Sequence, residues 1–538
     1  MKKAAVTVHP DYVIGDIDER LYSGYLEPIG HWVYGGAWNP EHPSADEMGF
    51  RRDVIDGIRE MGMPAVRLPG GNFISGWDWK DSIGPVSERK ARLDLAWRQI
   101  EPNTVGHDEY LEWSKRAGVE PLYTLNLGTA DIDSAISCVE YTNHPGGTYW
   151  SDLRRKNGYN DPHGVKTWCL GNEMDGPWQI SSFEKDPAGY GIKAHEISKA
   201  IKWVDPTIKT VVSGTCTPLT RTYPEWDVQV LEKCYDTVDY LSLHYYHVAP
   251  EGDINSYLCA STVIEDFLKT VISACDYVKA KIKSPNKMMI SFDEYGSSFA
   301  PQSRVVTGRP GYLPLTSIME FSEPHLNRPF RVNDPAETKP LERAGNEMLR
   351  ALTLASILLA LVRNADRVKI GCMTGAIGAA LAYDRDNVWK TAVYHPLFQL
   401  NKLGRGKSIL PAITSPTYDV EGYNLNDFLQ MKDYADVSEI EAACVHSEEN
   451  GEVTVFLINR GREPIEVELD VRGFEGYEYS QHLEMFDDTL CAKNSFDDQN
   501  IICPVNNHET KVLGGKVQLT ANGLSWNVIR LIKSGGAR

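Results

Sequence analysis

Glu173 and Glu294 each stand at the end of an apolar run of the kind that forms a buried strand. In "VKTWCLGNEMDGPWQ" (165–179) the run stops at Gly171, and Asn172 and Glu173 follow before the breaker pair Gly176-Pro177. In "KMMISFDEYG" (287–296) Glu294 closes a second such run. A carboxylate at the mouth of a buried strand is costly unless it is paired or solvated. Two carboxyl groups facing each other suit acid/base chemistry on an acetal, one as proton donor and the other as nucleophile or base. The two lie 121 positions apart, so only a closed fold brings them together. No G-x-S-x-G elbow offers a serine nucleophile instead. Asp293 is assigned a structural role, because alternation turns it to the opposite side of the strand from Glu294.

Other polar residues fall at the ends of similar runs: Arg67, Asn72, Asn126, Asn172, His244 and Tyr246. His244 and His247 in "LHYYH" stand three apart on a strand, without a H-E-x-x-H motif or a cysteine cluster, so metal binding is the weaker reading of them. A hydrogen-bonded core histidine is an equal alternative for His244. Trp77, Trp79 and Trp178 read as packing residues, but Trp79 and Trp178 sit in Gly/Pro-rich loops where they can offer a flat face to a sugar.

Eight strand-like runs supply these ends: 32–37, 64–71, 120–128, 165–173, 209–215, 238–246, 287–296 and 367–375. Amphipathic helical stretches lie between them, among them 45–62, 263–282 and 343–366. Eight strand–helix units predict an α/β fold, a (β/α)8 TIM barrel, whose catalytic face is formed by the C-terminal strand ends. A doubly wound open sheet is disfavoured, since no Gly-rich phosphate loop follows the first strand. After about residue 400 the pattern turns to strands alone, with a hairpin signal at Glu449-Asn450-Gly451. The expected division is a barrel over 17–398 and an all-β sandwich over 399–538, joined by an N-terminal strand within 1–16.

The chain has 538 residues and a net charge of −19, which argues against a nucleic-acid partner. A neutral glycan is compatible with that charge. No apolar window is long enough for a membrane span or a signal peptide, so a cytoplasmic protein with no membrane partner is expected. Cys169, Cys234, Cys275 and Cys372 lie inside apolar runs and read as buried free thiols.

Several longer stretches carry a resemblance. "RLPGGNFISGWDWKDSIGP" (67–85), "LAWRQIEPNTVGHDEYLEW" (95–113), "WCLGNEMDGPWQI" (168–180) and "SLHYY" (242–246) together resemble the α-L-arabinofuranosidases of glycoside hydrolase family 51. "YLEPIGHWVYGGAW" (25–38) and "SWNVIRL" (525–531) fit the same pattern, so the likeness covers nearly the whole chain. It implies a barrel with a β-sandwich and an exo-acting, retaining double displacement. The reaction implied is release of terminal α-L-arabinofuranosyl residues from arabinose-containing oligosaccharides, with no metal or other cofactor. It also implies a homo-oligomer, hexameric in many members. Glu173 matches the general acid/base and Glu294 the nucleophile. Asn172 matches the residue that binds the sugar 2-hydroxyl. Glu27, Arg67 and Asn72 match groups that hold the ring or orient the carboxylates, and His244 and Tyr246 match their neighbours, with Tyr246 bonded to Glu294. Trp178 completes the expected substrate-binding set.

The chain departs from the family pattern at Pro28 (family His), Tyr295 (Trp), Gly375 and Gly378 (Gln and Asn) and Thr391 (Gln). These departures are expected to border the sugar. They leave two alternatives open: a related furanosidase or endo-glycanase of altered specificity, such as a galactofuranosidase, or a catalytically silent glycan-binding protein.

Overall fold

The computed structural model describes residues 2–300, 329–341, 346–424 and 430–534. Its centre is a closed barrel of eight parallel strands: β1 (Ser23–Tyr25), β2 (Ala65–Leu68), β3 (Glu120–Leu125), β4 (Thr167–Leu170), β5 (Lys209–Ser213), β6 (Tyr240–Pro250), β7 (Met289–Ala300) and β8 (Val368–Met373). The strands pair in sequence order and β8 closes onto β1 through Cys372 and Ser23. Most are short, and β2 and β4 are buried along their whole length, as parallel strands covered on both faces must be.

Seven of the eight expected runs overlap a barrel strand, with β6 and β7 running four residues past their expected ends; the first does not. Residues 32–37 form turns, with Gly35 in the left-handed region; the buried Tyr34 makes only an isolated bridge to Trp38 and no strand of the barrel. The first barrel strand is the three-residue Ser23–Tyr25, too short and too polar to register as an apolar run. Helices are placed better. Arg52–Met61 buries Val54, Ile55, Ile58 and Met61, one stripe of an amphipathic turn pattern. Ala260–Ile282 does the same at greater length. Glu347–Val362 is buried all round, and residues 343–345 of that expected helix lie outside the described residues. No helix among the described residues is long and apolar enough to cross a membrane. All ten cysteines are free thiols, and Cys169, Cys234, Cys275 and Cys372 are buried, as expected.

The helix Tyr394–Leu403 spans the expected division at 398/399. Beyond it two sheets face each other. One has the order 412–414, 2–7, 465–470, 516–521, 511–513; the other runs 13–16, 407–409, 440–447, 452–459, 525–533, 477–485, 505–506. The expected hairpin is present, with Ser447 opposite Glu452. Val6, Val467, Leu469, Val455, Leu457 and Ile529 belong to the apolar cluster between the sheets. Lys2–Thr7 pairs parallel with Ile465–Asp470, so the chain's beginning lies in this sheet and not in the barrel.

The helix Glu347–Val362 joins the two parts, packing on the helix Ala260–Ile282, on β8 and on the strand Ile440–Ser447. At that junction Glu441 is buried and accepts from Arg363 at 2.6 Å and from Ser356 Oγ at 2.8 Å, with Arg460 at 3.6 Å. Burial alone raises the Glu441 pKa, but the two guanidinium groups outweigh it and hold the carboxyl below its ordinary value. Removing one partner of such a buried group leaves uncompensated charge and costs about 3–5 kcal/mol. Glu441→Ala is therefore expected to lower the unfolding midpoint sharply. Glu448→Ala, which breaks the exposed Lys407–Glu448 pair, is expected to leave the midpoint nearly unchanged. Scanning calorimetry of both variants checks this, and equal losses overturn it.

Candidate active site

Every expected site residue except Trp178 lies in, or within a few residues of, the C-terminal end of a barrel strand. Glu27 follows β1. Arg67 lies in β2 and Asn72 just beyond it. Asn172 and Glu173 follow β4, His244 and Tyr246 lie in β6, and Glu294 lies in β7. His244 and Tyr246, two residues apart, share one side of β6, and His244 sits in register with Glu294. The strand exits need unusual backbone. Glu173 has φ of 46°, in the left-handed region that a non-glycine residue occupies at a cost of about 1–2 kcal/mol. Gly171, with φ of 87°, makes that turn possible: a Cβ there would lie 2.9 Å from the Met174 sulfur. Gly71 allows a second close approach, since a Cβ would collide with the Tyr25 hydroxyl.

Glu173, His244 and Glu294 present side-chain atoms within 4.8 Å of one another. Glu294 accepts from Arg67 at 2.9 Å and from the Tyr246 hydroxyl at 2.5 Å. Glu173 accepts from the Trp178 indole at 2.6 Å and faces His244 Nδ1 at 3.0 Å. The second His244 nitrogen faces Asp293 at 3.1 Å, and Arg67 Nε lies 3.6 Å from that same carboxylate. Arg67 also donates to the Asn172 amide oxygen at 2.7 Å. Asn172 in turn donates to Asn72 Oδ1 at 3.1 Å, which Gln179 also bonds.

The charges follow from these contacts. Burial disfavours the His244 charge, but Glu294, Asp293 and Glu173 outweigh it and raise its pKa to about 10. An imidazolium results, facing a carboxylate at each nitrogen. Burial likewise acts against Asp293, and Arg67, His244 and Ser242 hold its carboxyl low. Glu294 is raised by burial and by the Glu173 charge, against the pull of His244, Arg67 and Tyr246. Glu27 rises to about 7 through burial and the Glu294 charge, although Phe73 N–H, Trp97 Nε1 and Tyr25 Oη all donate to it. The Glu173–His244–Glu294 trio has the composition of a cation site. A protonated His244 has no lone pair to give, however, and Arg67 already supplies positive charge, so the donor set does not suit a metal ion.

These groups close one end of a cavity of about 730 Å3. Glu27, Asn72, Glu173, Trp178, Tyr246 and Glu294 line it, whereas Arg67, Asn172 and His244 stand behind them. Trp79 is not on the rim: it is buried among His107, Tyr141 and Trp150, and its indole bonds the Ser134 carbonyl. Trp77 and Asn126 are also structural, bonding Asn103 and the Trp77 carbonyl respectively. Asp293 stays off the cavity wall, as a structural role implies, but it reaches His244 and Arg67 from behind. The pairing of β7 with β8 shifts between Phe292 and Tyr295, so strict alternation fails there.

The departures fare unevenly. Tyr295 is buried beside Phe292 and does not line the cavity. Pro28 meets Gln99 through its carbonyl. Thr391 borders a neighbouring cavity, its hydroxyl on the Ala379 carbonyl. Gly378 lies by Trp32 and Tyr383, which do line the catalytic cavity. Gly375 is in a turn, and Thr374 before it reaches the cavity and bonds Tyr246 at 3.1 Å. Trp97 and Thr374 are two of several lining residues to which no role was given. Trp97 lay inside a quoted motif, but nothing in its spacing tied it to Glu27.

A pH dependence follows from His244. Its pKa is about 10 in the folded chain, against an ordinary 6.5, so its stabilisation is full below pH 6.5 and is lost as pH rises towards 10. Wild-type stability is expected to fall across that window with a slope of up to about 1.4 kcal/mol per pH unit. His244→Asn should flatten the fall. Denaturant titrations at pH 7, 8 and 9 measure it, and parallel slopes in the two proteins count against a buried imidazolium.

Comparison with known proteins agrees with this geometry. Residues 57–260 match the model of an α-L-arabinofuranosidase 1 domain, and residues 316–525 that of an α-L-arabinofuranosidase C-terminal domain. The chain is 38% identical over 537 residues to an intracellular exo-α-(1→5)-L-arabinofuranosidase of Bacillus subtilis, covering 99% of this chain and 100% of that one. It is 32% identical to an exo-α-(1→6)-L-arabinofuranosidase of Bifidobacterium longum, covering 99% and 98%. Among solved structures, a family 51 α-L-arabinofuranosidase from Bifidobacterium longum superposes with a TM-score of 0.85 at 27% identity, covering 98% of this chain and 99% of that one. An arabinose complex of the Thermotoga maritima enzyme gives 0.82 at 27%, with coverage of 98% and 99%. The chain belongs to the α-L-arabinofuranosidases of glycoside hydrolase family 51.

Proposed function

We propose that this protein is a retaining, exo-acting α-L-arabinofuranosidase that releases terminal arabinofuranosyl groups in two displacements. The observation that carries the assignment of roles is the uneven sharing of positive charge and donors. Glu294 holds Arg67 and the Tyr246 hydroxyl, both of which favour its ionised form. It is the nucleophile, attacking the anomeric carbon to form a glycosyl-enzyme ester. Glu173, held by Trp178 and His244, gives its proton to the departing oxygen. When that proton is on Glu173, the repulsion between the two carboxyl groups is absent and Glu294 ionises more readily. In the second step Glu173 takes a proton from water, which attacks the same carbon and releases arabinose with its original stereochemistry. The separation supports retention: an inverting pair stands about 6.5–9.5 Å apart to admit a water, whereas oxygens of Glu173 and Glu294 lie within 4.8 Å.

The family match assigns Asn172 to the sugar 2-hydroxyl, although Arg67 and Asn72 hold it behind the lining groups, and Glu27 and Asn72, which line the cavity, are assigned to the ring. Several relatives are named intracellular exo-acting enzymes, which supports a role in trimming imported arabinose-containing oligosaccharides in the cytoplasm.

The first test is a panel of 4-nitrophenyl glycosides. Preferred turnover of the α-L-arabinofuranoside over the β-D-galactofuranoside, β-D-xyloside and α-L-arabinopyranoside is expected. Glu294→Ala should abolish glycosylation. Glu173→Ala should lose about 10²–10⁴-fold on a poor leaving group, keep glycosylation by the 4-nitrophenyl substrate and gain deglycosylation on adding azide. Wild-type rates from Glu173→Ala on a poor leaving group would overturn the assignment.

A further inference from the structure

The surroundings of the nucleophile extend one strand further than the groups that carry the chemistry. β6, β7 and β8 are consecutive in the barrel, with Tyr246 opposite Gly296 and Tyr295 opposite Met373. That register sets Tyr246, Glu294 and Thr374 at three neighbouring strand ends. Thr374 follows the last residue of β8, and its backbone is fixed on both sides. Its N–H donates at 2.8 Å to the carbonyl of Tyr295, the residue after the nucleophile. Gly375 then turns the chain away with φ of 90°, and its carbonyl accepts the N–H groups of Ala379 and Ala380, each at 2.9 Å. Thr374 is 6% exposed and lines the catalytic cavity, as Tyr246 does.

The proton inventory fixes the direction of the side-chain bonds. An ionised carboxylate only accepts, and a phenol has a single proton to give. The Tyr246 hydroxyl lies 2.5 Å from Glu294 Oε1, so its proton is committed to the nucleophile. The same phenol oxygen lies 3.1 Å from Thr374 Oγ1, and with the Tyr246 proton spent, Thr374 is the donor in that contact. A relay results, from Thr374 through Tyr246 to Glu294. A donor arriving at one side of the phenol oxygen leaves the phenol proton aimed away from it. A hydroxyl that receives a hydrogen bond is also a stronger donor, because the two bonds polarise each other. The Thr374 contact accordingly acts to lower the Tyr246 pKa, and the Tyr246 contact acts to lower that of Glu294.

We propose that Thr374 is a positioning residue for the nucleophile, donating to the Tyr246 oxygen so that the phenol proton is kept on Glu294. The proposal rests on the arabinofuranosidase reading above and adds a residue to it. The effect of Thr374 reaches the reacting atoms through Tyr246. Glu294 attacks the anomeric carbon as an anion, and the relay lowers the pH from which that anion is available.

The test follows kcat/KM against pH for 4-nitrophenyl α-L-arabinofuranoside with the full-length chain. The acidic limb of that profile reports the ionisation that readies Glu294. Thr374→Val exchanges the hydroxyl for a methyl group. It should lose about three- to tenfold in kcat/KM near neutral pH and move the acidic limb up by about 0.3–1 pH unit. Thr374→Ser, which keeps the hydroxyl, should return the limb towards its wild-type position. Tyr246→Phe breaks the relay at its middle, so adding Thr374→Val to it should change kcat/KM by less than about twofold and leave the limb where it was. Should Thr374→Val fail to fold, Thr374→Ala carries the same expectations. A residue that only packs would lower the rate equally in both backgrounds, with no shift of the limb and no rescue by Thr374→Ser. That result, or a wild-type profile from Thr374→Val, overturns the inference and leaves the arabinofuranosidase reading standing. A wild-type protein inactive on every arabinofuranoside removes that reading and the inference with it.

Discussion

Two cations and three carboxylates share the dry end of the barrel, and the site depends on how that charge is balanced. Arg67 is 1% exposed and His244 2%, depths at which an unpaired charge is costly. Each is held by Asp293, which lies on the far side of both from the cavity and takes no part in lining it. Glu294, Asp293 and Glu173 together keep His244 protonated, and Asp293 also lies against Arg67, which in turn acts on Glu294 and Asn172. Removing any member leaves another buried and uncompensated, which is why the arrangement is rigid as well as charged. Stability and acid/base chemistry are therefore properties of the same five groups.

This balance explains the division of labour between two otherwise similar carboxyl groups. Both are nearly buried and both touch His244. They differ in that Arg67 and Tyr246 fall on Glu294, and the Trp178 indole, a neutral donor, falls on Glu173. A fixed positive charge supports an anion that must attack carbon, and a neutral donor leaves its partner free to exchange a proton. The left-handed backbone at Glu173 sets the carboxyl at that point, with Gly171 absorbing the strand exit.

Much of this was legible in the sequence because a barrel writes its catalytic face into the ends of its strands. Glu173, Asn172 and Glu294 stood out since ionisable or amide groups ended apolar runs. The helix Arg52–Met61 and the hairpin between 447 and 452 followed from periodicity and turn chemistry. What failed did so for physical reasons. Ser23–Tyr25 carries only three residues of pattern, while the apolar 32–37 segment that looked like its strand is buried as turns. The contacts of Asp293 with His244 and Arg67 were not legible because alternation presumes an unbroken register, and β7 shifts register at that point. Trp79 was placed at the rim on the composition of its loop, but its ring is held inside by three aromatic neighbours. Local composition cannot encode a partner 71 positions away, as His244 is from Glu173.

The departures from the family pattern separate along the same line. Tyr295 follows the nucleophile directly, yet its ring is sunk beside Phe292, so that exchange alters packing behind the strand and leaves the cavity wall untouched. Pro28 acts through its carbonyl, which any residue provides, and Gln99 takes it up. Thr391 fills its own hydrogen bonds in a neighbouring cavity. Gly378, like Thr391, lines that neighbouring cavity, and a Cβ there would come within 3.5 Å of Trp32 Nε1 and Tyr383 Oη, two residues of the catalytic cavity's wall. The charged centre tolerates little change, since each of its members is buried with another. The wall opposite carries rings and aliphatic groups, with the Trp97 indole on Glu27 and the Tyr383 hydroxyl on the His31 carbonyl, and a change of side-chain size there reshapes the cavity without removing a buried charge.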